Sequence, residues 1–193
     1  MLKENPKHYN EINIIYETIW RSLVEGVNNR SSDFHTFALA TTDGKRSAVR
    51  TVVLRSCSKK ELSISFHTNN YSNKINEIKE NSNVEGLFYS KNKKIQIRIS
   101  GQALIFNDVD ICHTIWKNMS QDARDCYMYD EKPGTRIKNP KSIKKNTENK
   151  ANKNFSLINI NIQSIEWLYL SSSGHRRVSF NKENSFVGDW IVP

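Results

Sequence analysis

The stretch FHTFALATTDGKRSAVRTVVLRS, residues 34–56, decides the fold. Two runs rich in Phe, Val, Leu and Thr flank Asp43-Gly44, a dipeptide suited to a tight turn between antiparallel strands. The spacing predicts strands over 34–41 and 46–56. Outward from this hairpin the strand signal recurs. Leu62, Ile64 and Phe66 alternate with Ser63, Ser65 and His67, the pattern of a strand with one buried face. Residues 84–90 and 94–106 predict a further hairpin around Lys91-Asn92-Lys93, with Ile95, Ile97 and Ile99 facing one way and Gln96, Arg98 and Ser100 the other. Ile158, Ile160 and Ile162 alternate with Asn159, Asn161 and Gln163 in another strand. Segments 165–170, 176–181 and 186–192 predict a terminal hairpin and a last short strand.

Helical spacing flanks these strands. Ile12, Ile15, Ile19, Leu23 and Val27 recur at three- and four-residue steps, so 8–27 predicts an amphipathic helix that stops at Gly26 and Asn28-Asn29. Residues 72–80 predict a short helix with Ser72 as N-cap, and 108–119 one capped by Asp108. Strands at short intervals with few helices imply a mainly β (α+β) architecture, an antiparallel β-barrel with flanking helices. No Gly-x-Gly-x-x-Gly follows the first strand, so a dinucleotide-binding parallel sheet is unsupported.

At 193 residues the chain suits one domain, 1–193, with a mixed composition of 37% hydrophobic and 25% charged residues. No apolar run reaches membrane-spanning length and the N-terminus lacks a signal-peptide core, which predicts a cytoplasmic protein with no membrane partner. Cys57, Cys112 and Cys126 are odd in number and widely spaced, as reduced thiols are. The five histidines pair with no other ligand at metal spacing, so no metal is expected.

The net charge of +9 is unevenly spread. Residues 136–153 hold seven Lys and Arg against the single acid Glu148, which accounts for six of the nine. This Asn/Lys-rich stretch has no apolar periodicity and predicts a solvated, flexible insertion, with a phosphate-binding arm as the alternative. Nucleic acid is not expected as a partner.

The chemistry lies between residues 50 and 96. Arg50, Thr68, Ser72 and Lys74 supply cations and hydroxyls at strand ends and at a helix N-terminus, a setting that favours phosphate. Gln96, on a later strand, can donate and accept hydrogen bonds together. The order Arg50 to Arg55, Phe66-His67-Thr68, Ser72-Asn73-Lys74 and Gln96 resembles the flavin-mononucleotide (FMN) site of the pyridoxamine 5'-phosphate oxidase superfamily. Arg55 stands where the family has Lys, and Asn73 where it has Arg. Trp167, His175-Arg176-Arg177 and Trp190 near Pro193 are similar in order and spacing to the family's C-terminal residues. Trp116 to Arg124, followed by Pro133-Gly134, resembles a branch whose substrates are mostly unassigned.

The resemblance implies a split barrel and an obligate homodimer with FMN at the subunit interface. It assigns cofactor contacts to Arg50, Thr51, Val52, Val53, Leu54, Arg55, His67, Thr68, Ser72, Asn73, Lys74, Gln96, Trp167 and Arg177. Core packing is the alternative for Trp167. Substrate contacts fall to Arg55 and His175, and catalytic residues stay unassigned. The function implied is a flavoprotein oxidoreductase acting on a small molecule. The alternatives are a true pyridoxamine or pyridoxine phosphate oxidase and a non-catalytic split-barrel protein holding FMN or haem. Ser173 replaces the family's substrate-stacking Arg, and the Tyr-x-x-x-Arg-x-x-x-Ser phosphate clamp is absent from 116–124.

Overall fold

In a computed structural model, residues 6–107, 109–145 and 152–193 are described. Helix α1 (Ile12–Asn28) precedes strands β1 (Thr36–Thr42), β2 (Ser47–Ser58) and β3 (Ser63–Asn69). Helix α2 (Asn73–Glu80), strands β4 (Asn83–Ser90) and β5 (Ile95–Phe106), and helices α3 (Val109–Asn118) and α4 (Gln121–Asp125) follow. Strands β6 (Phe155–Tyr169), β7 (Arg176–Asn181) and β8 (Gly188–Trp190) complete the chain. All pairings are antiparallel in the order β3-β2-β1-β4-β5-β6-β7-β8, and β3 also pairs β6. Six strands therefore close a barrel, leaving β7 and β8 as an extension. The architecture is the expected mainly β barrel with flanking helices.

Closure depends on the length of β6. Its first half, Phe155 to Asn161, pairs β3, while Ser164 to Tyr169 pairs β7. The sequence predicts a break between Gln163 and Ile165; the structure has one continuous strand. Gly101 faces Ile162 and Ser100 faces Ser164, so Gln163 is the extra residue of a β-bulge that shifts the apolar phase. Gly101 is required beside it, because a Cβ there would lie 2.4 Å from the Asn161 carbonyl oxygen.

The inward residues Phe37, Leu39, Leu54, Ile64, Phe66, Phe88, Ile97, Ile99, Ile160 and Ile165 fill the barrel at 2% exposure or less. Each such side chain contributes roughly 1.5–3 kcal/mol by leaving water. Ile15, Ile19, Trp20 and Leu23 lay α1 against this core, as its periodicity predicts. Two details differ. Glu11 is extended, so 7–10 form a separate 3-10 turn and α1 starts at Ile12. Gly26 lies inside α1 rather than ending it, since a Cβ would meet the Phe34 carbonyl oxygen at 2.3 Å.

A second, smaller cluster joins Trp116 and Cys112 of α3 to Tyr127 and Phe155. Helix α4 was not legible in the sequence; Ser120 caps it by accepting from the Ala123 N–H at 3.4 Å. The expected cap Asp108 lies outside the described residues. Of the basic stretch, residues 136–145 and 152–153 are described, and 136–145 are mostly exposed. Lys145 bridges Tyr129 backbone to backbone and donates to Asp125 at 2.9 Å.

Candidate functional site

The β1–β2 hairpin and α2 meet around Arg50. Arg50 belongs to the inward set of β2 but sits near the strand's start, where the helix covers it. Its Nη2 donates to Glu77 Oε2 at 2.7 Å and its Nη1 to the Thr41 hydroxyl, which in turn donates to Glu77. Lys74, one helical turn before Glu77, donates from Nζ to Thr68 Oγ1 at 3.0 Å. Thr68 Oγ1 and Ser72 Oγ lie 3.2 Å apart, both residues buried. Ser72 holds the N-cap position of α2, yet its hydroxyl caps nothing and turns to Thr68 instead. All four residues expected to face phosphate thus occupy one neighbourhood.

The charge balance there is positive. Burial, then the neighbouring Arg50 cation, lower the pKa of Lys74, while Glu77 opposes them. Two cations share one carboxylate, so an added anion would relieve the strain on Lys74. In the first turn of α2 the Ile75 N–H already donates to the Ser72 carbonyl at 3.0 Å, so the two cations and the hydroxyls are what the cluster offers an anion. Thr41 and Glu77 were missed by the sequence reading. Glu77 had a signal, its i, i+3 spacing from Lys74 on one helix face.

Arg55 belongs to a different place. Leu54 pairs Phe66 and Ser56 pairs Ser65, which leaves Arg55 as a bulge residue on the outer side of β2. It lines a cavity of about 380 Å³ between the sheet and α3, with His67, Thr114, Ile115, Asn118 and Met119. Burial, then the Arg55 charge, lower the His67 pKa to about 4, so the ring is neutral near pH 7. Its Nδ1 is buried without a hydrogen-bond partner, and the ring sits edge-on to Phe155 at 4.9 Å. Burial pushes Tyr127 up to about 12, opposed by Arg55.

The remaining expected residues scatter. Val52 and Leu54 point into the core, so their side chains are unavailable to a ligand; Thr51 and Val53 lie on the outer face. Trp167 is 1% exposed and packs against Tyr9, ring centroids 5.1 Å apart, and against Tyr169, the core placement that was the alternative for it. Its indole N–H is buried without a hydrogen-bond partner. Gln96 and Arg177 sit on the outer face, both opposite Leu168 or its neighbours in the β5–β6–β7 ladder. Arg177 donates to Glu166 at 2.6 Å, and Glu166 also accepts from Arg98 at 3.4 Å. His175 lies in the β6–β7 loop, where Nδ1 accepts from the Ser171 N–H at 3.0 Å. Three residues along β5 and three strand spacings separate Gln96 from Arg50, roughly 17 Å. Gln96 and Arg50 also face opposite sides of the sheet.

The outer face of β2, β1, β4 and β5 is mixed, with apolar Val49, Leu87 and Tyr89 exposed among the polar Thr51, Glu85, Gln96 and Arg98. Val49 is 68% exposed, Tyr89 46% and Leu87 40%. Among the described residues there is no group of His, Cys, Asp and Glu able to hold a metal ion, and no helix is long and apolar enough to cross a membrane.

Residues 17–107 match the family model described as pyridoxamine 5'-phosphate oxidase, FMN-binding domain. No curated protein matches the chain in sequence. Solved structures share its fold. A pyridoxamine 5'-phosphate oxidase-related, FMN-binding protein from Nostoc punctiforme is 21% identical with a TM-score of 0.75, over 92% of this chain and 96% of that one. PhzG from Burkholderia lata, solved with tetrahydrophenazine-1-carboxylic acid, is 18% identical with a TM-score of 0.73, over 100% and 99%. A Clostridium acetobutylicum protein related to general stress protein 26 is 11% identical with a TM-score of 0.58, over 90% and 98%.

Proposed function

We propose that the protein is a homodimeric, cytoplasmic FMN oxidoreductase acting on a small molecule. The observation that carries this reading is the Arg50–Lys74–Thr68–Ser72 cluster, a cationic, hydroxyl-lined recess inside the segment that matches the FMN-binding family. Arg50 and Lys74 would hold the FMN phosphate, with Glu77 keeping the guanidinium aimed. Asn73, beside them, offers one polar contact in place of the family's Arg. When bound, FMN supplies a centre that accepts or gives two electrons.

Two features support the dimer. Gln96 and Arg177 lie on the outer face of the sheet while Arg50 faces inward, and Val49, Leu87 and Tyr89 leave three large apolar side chains exposed on neighbouring strands. A partner docked on that face would bring its own Arg177 and His175 toward the flavin. Free Cys57, Cys112 and Cys126 agree with a reducing compartment.

Purification tests the proposal. The protein should be yellow, release FMN rather than FAD on heating, and elute as a dimer. A colourless monomer that ignores added FMN in a thermal-shift assay, or a preparation with a haem Soret band, would contradict it.

A further inference from the structure

Lys74 is held in one place and is still within reach of a small reagent. Its Nζ donates to Thr68 Oγ1 at 3.0 Å, and Thr68 is in turn tied to Ser72 at 3.2 Å. The side chain is only partly buried. Arg50 lies alongside, aimed by Glu77 at 2.7 Å. Burial first and the Arg50 cation second hold the Lys74 ammonium below its ordinary pKa, against the pull of Glu77. Lys145 is shifted the other way, chiefly by its hydrogen bond to Asp125. An amine lowered by burial and a neighbouring cation spends more of its time unprotonated, the form that attacks carbonyl carbon.

That juxtaposition selects a class of reagent. An acyl phosphate offers a phosphate to the guanidinium fork and, one bridging oxygen away, an activated carbonyl carbon. Phosphate monoesters share the phosphate and lack that carbon, so they would occupy the recess without reacting. The Lys74 ammonium first gives one proton to water, and Nζ then attacks the carbonyl carbon. A C–N bond forms and the bond from that carbon to the bridging oxygen breaks. The oxygen leaves with the bonding pair as inorganic phosphate, which takes the second proton from nitrogen. Carbon keeps its oxidation state, so no oxidant or reductant is required. The product amide carries no charge, and the recess loses one of its two cations.

We infer that Lys74 is a modification site: in the flavin-free protein an acyl phosphate seats its phosphate on Arg50 and acylates Lys74, and the resulting amide closes the recess to FMN. The inference rests on the proposed FMN reading and adds a regulation of that same site. Bound FMN shields Lys74, so flavin loading and acylation exclude each other.

Acetyl phosphate is the probe, applied to flavin-free protein, with acetic anhydride as an acylating agent that needs no phosphate site. Peptide mass spectrometry reads acetylation at Lys74 and at Lys79, an exposed lysine of the same helix. With acetyl phosphate, Lys74 should react at least about tenfold faster than Lys79. Inorganic phosphate and FMN should each protect Lys74 and leave Lys79 unchanged. Arg50→Ala should slow acetyl phosphate at Lys74 at least about tenfold, and acetic anhydride by less. Lys74→Gln, which mimics the amide, should weaken FMN at least about tenfold. The protection arms use the unaltered protein and stand even where Arg50→Ala fails to fold. Lys74 modified no faster than Lys79, no protection by inorganic phosphate, equal slowing of both reagents in Arg50→Ala, or undiminished FMN affinity in Lys74→Gln would overturn the inference. Protection by inorganic phosphate without protection by saturating FMN would instead sink the FMN reading and leave the acylation in place.

Discussion

Arg50 and Arg55 stand five residues apart on one strand, yet they live in different electrostatic worlds. Arg50 points inward beneath α2, tied to Glu77 and Thr41 and beside the buried Lys74. Arg55 points outward from a bulge toward α3, with a neutral histidine for company and no acid. The odd spacing alone puts them on opposite faces of β2. Their difference teaches that two basic residues of one strand can meet opposite electrostatic surroundings.

The comparison breaks most visibly at Arg50. Arg50→Ala removes two charge-assisted donors and should weaken FMN by on the order of 3 kcal/mol, about a hundredfold, in a flavin-fluorescence titration. Arg55→Ala should weaken FMN far less.

His67 sharpens the second region through pH. Its folded-state pKa, near 4, lies below the ordinary 6.5, so the unfolded chain takes up a proton that the folded chain resists. Stability should be fully present above pH 6.5 and fall as the pH drops toward 4, by about 2 kcal/mol after allowance for partial exposure. Urea midpoints across that window, compared with those of His67→Asn, measure it. Parallel pH curves for the two proteins would show that His67 is not the titrating group.

Thr68→Val probes the hydroxyl chain in the first region. It deletes the acceptor of Lys74 and the partner of Ser72, and should cost FMN about 1 kcal/mol, roughly fivefold. The smallest effect belongs to Lys145→Ala. Its charge is exposed and paired with Asp125, remote in sequence from both regions, so FMN affinity should stay within about twofold of the parent in the same titration. A large loss would make the basic stretch a phosphate-binding arm.

Much of this was written in local patterns. Strand patterning in 34–106 located five barrel strands, and the order of Arg50, Thr68, Ser72 and Lys74 singled out four residues that the fold brings together. The bulges were not legible, because an extra residue at Arg55 or Gln163 shifts phase without any change in composition. Trp167 was ambiguous for a similar reason: an aromatic on a strand suits a ligand or a core equally, and only the closing of β6 against β5 and β7 buries it. Gly26 looked like a stop signal, while its cause is a close approach of Phe34 from outside the helix. The cavity beside Arg55 needed α3 folded back on β2 and β3, a tertiary contact that spacing does not encode.

Comparing FMN with riboflavin tests most directly whether Arg50 and Lys74 bind the phosphate of FMN. The two ligands share the ring and differ in the phosphate. Titrated into flavin-free protein and into Arg50→Ala, FMN should outbind riboflavin by about a hundredfold or more in the first, and the preference should largely collapse in the second. An undiminished preference in Arg50→Ala, or equal binding of the two flavins by the unaltered protein, would contradict it.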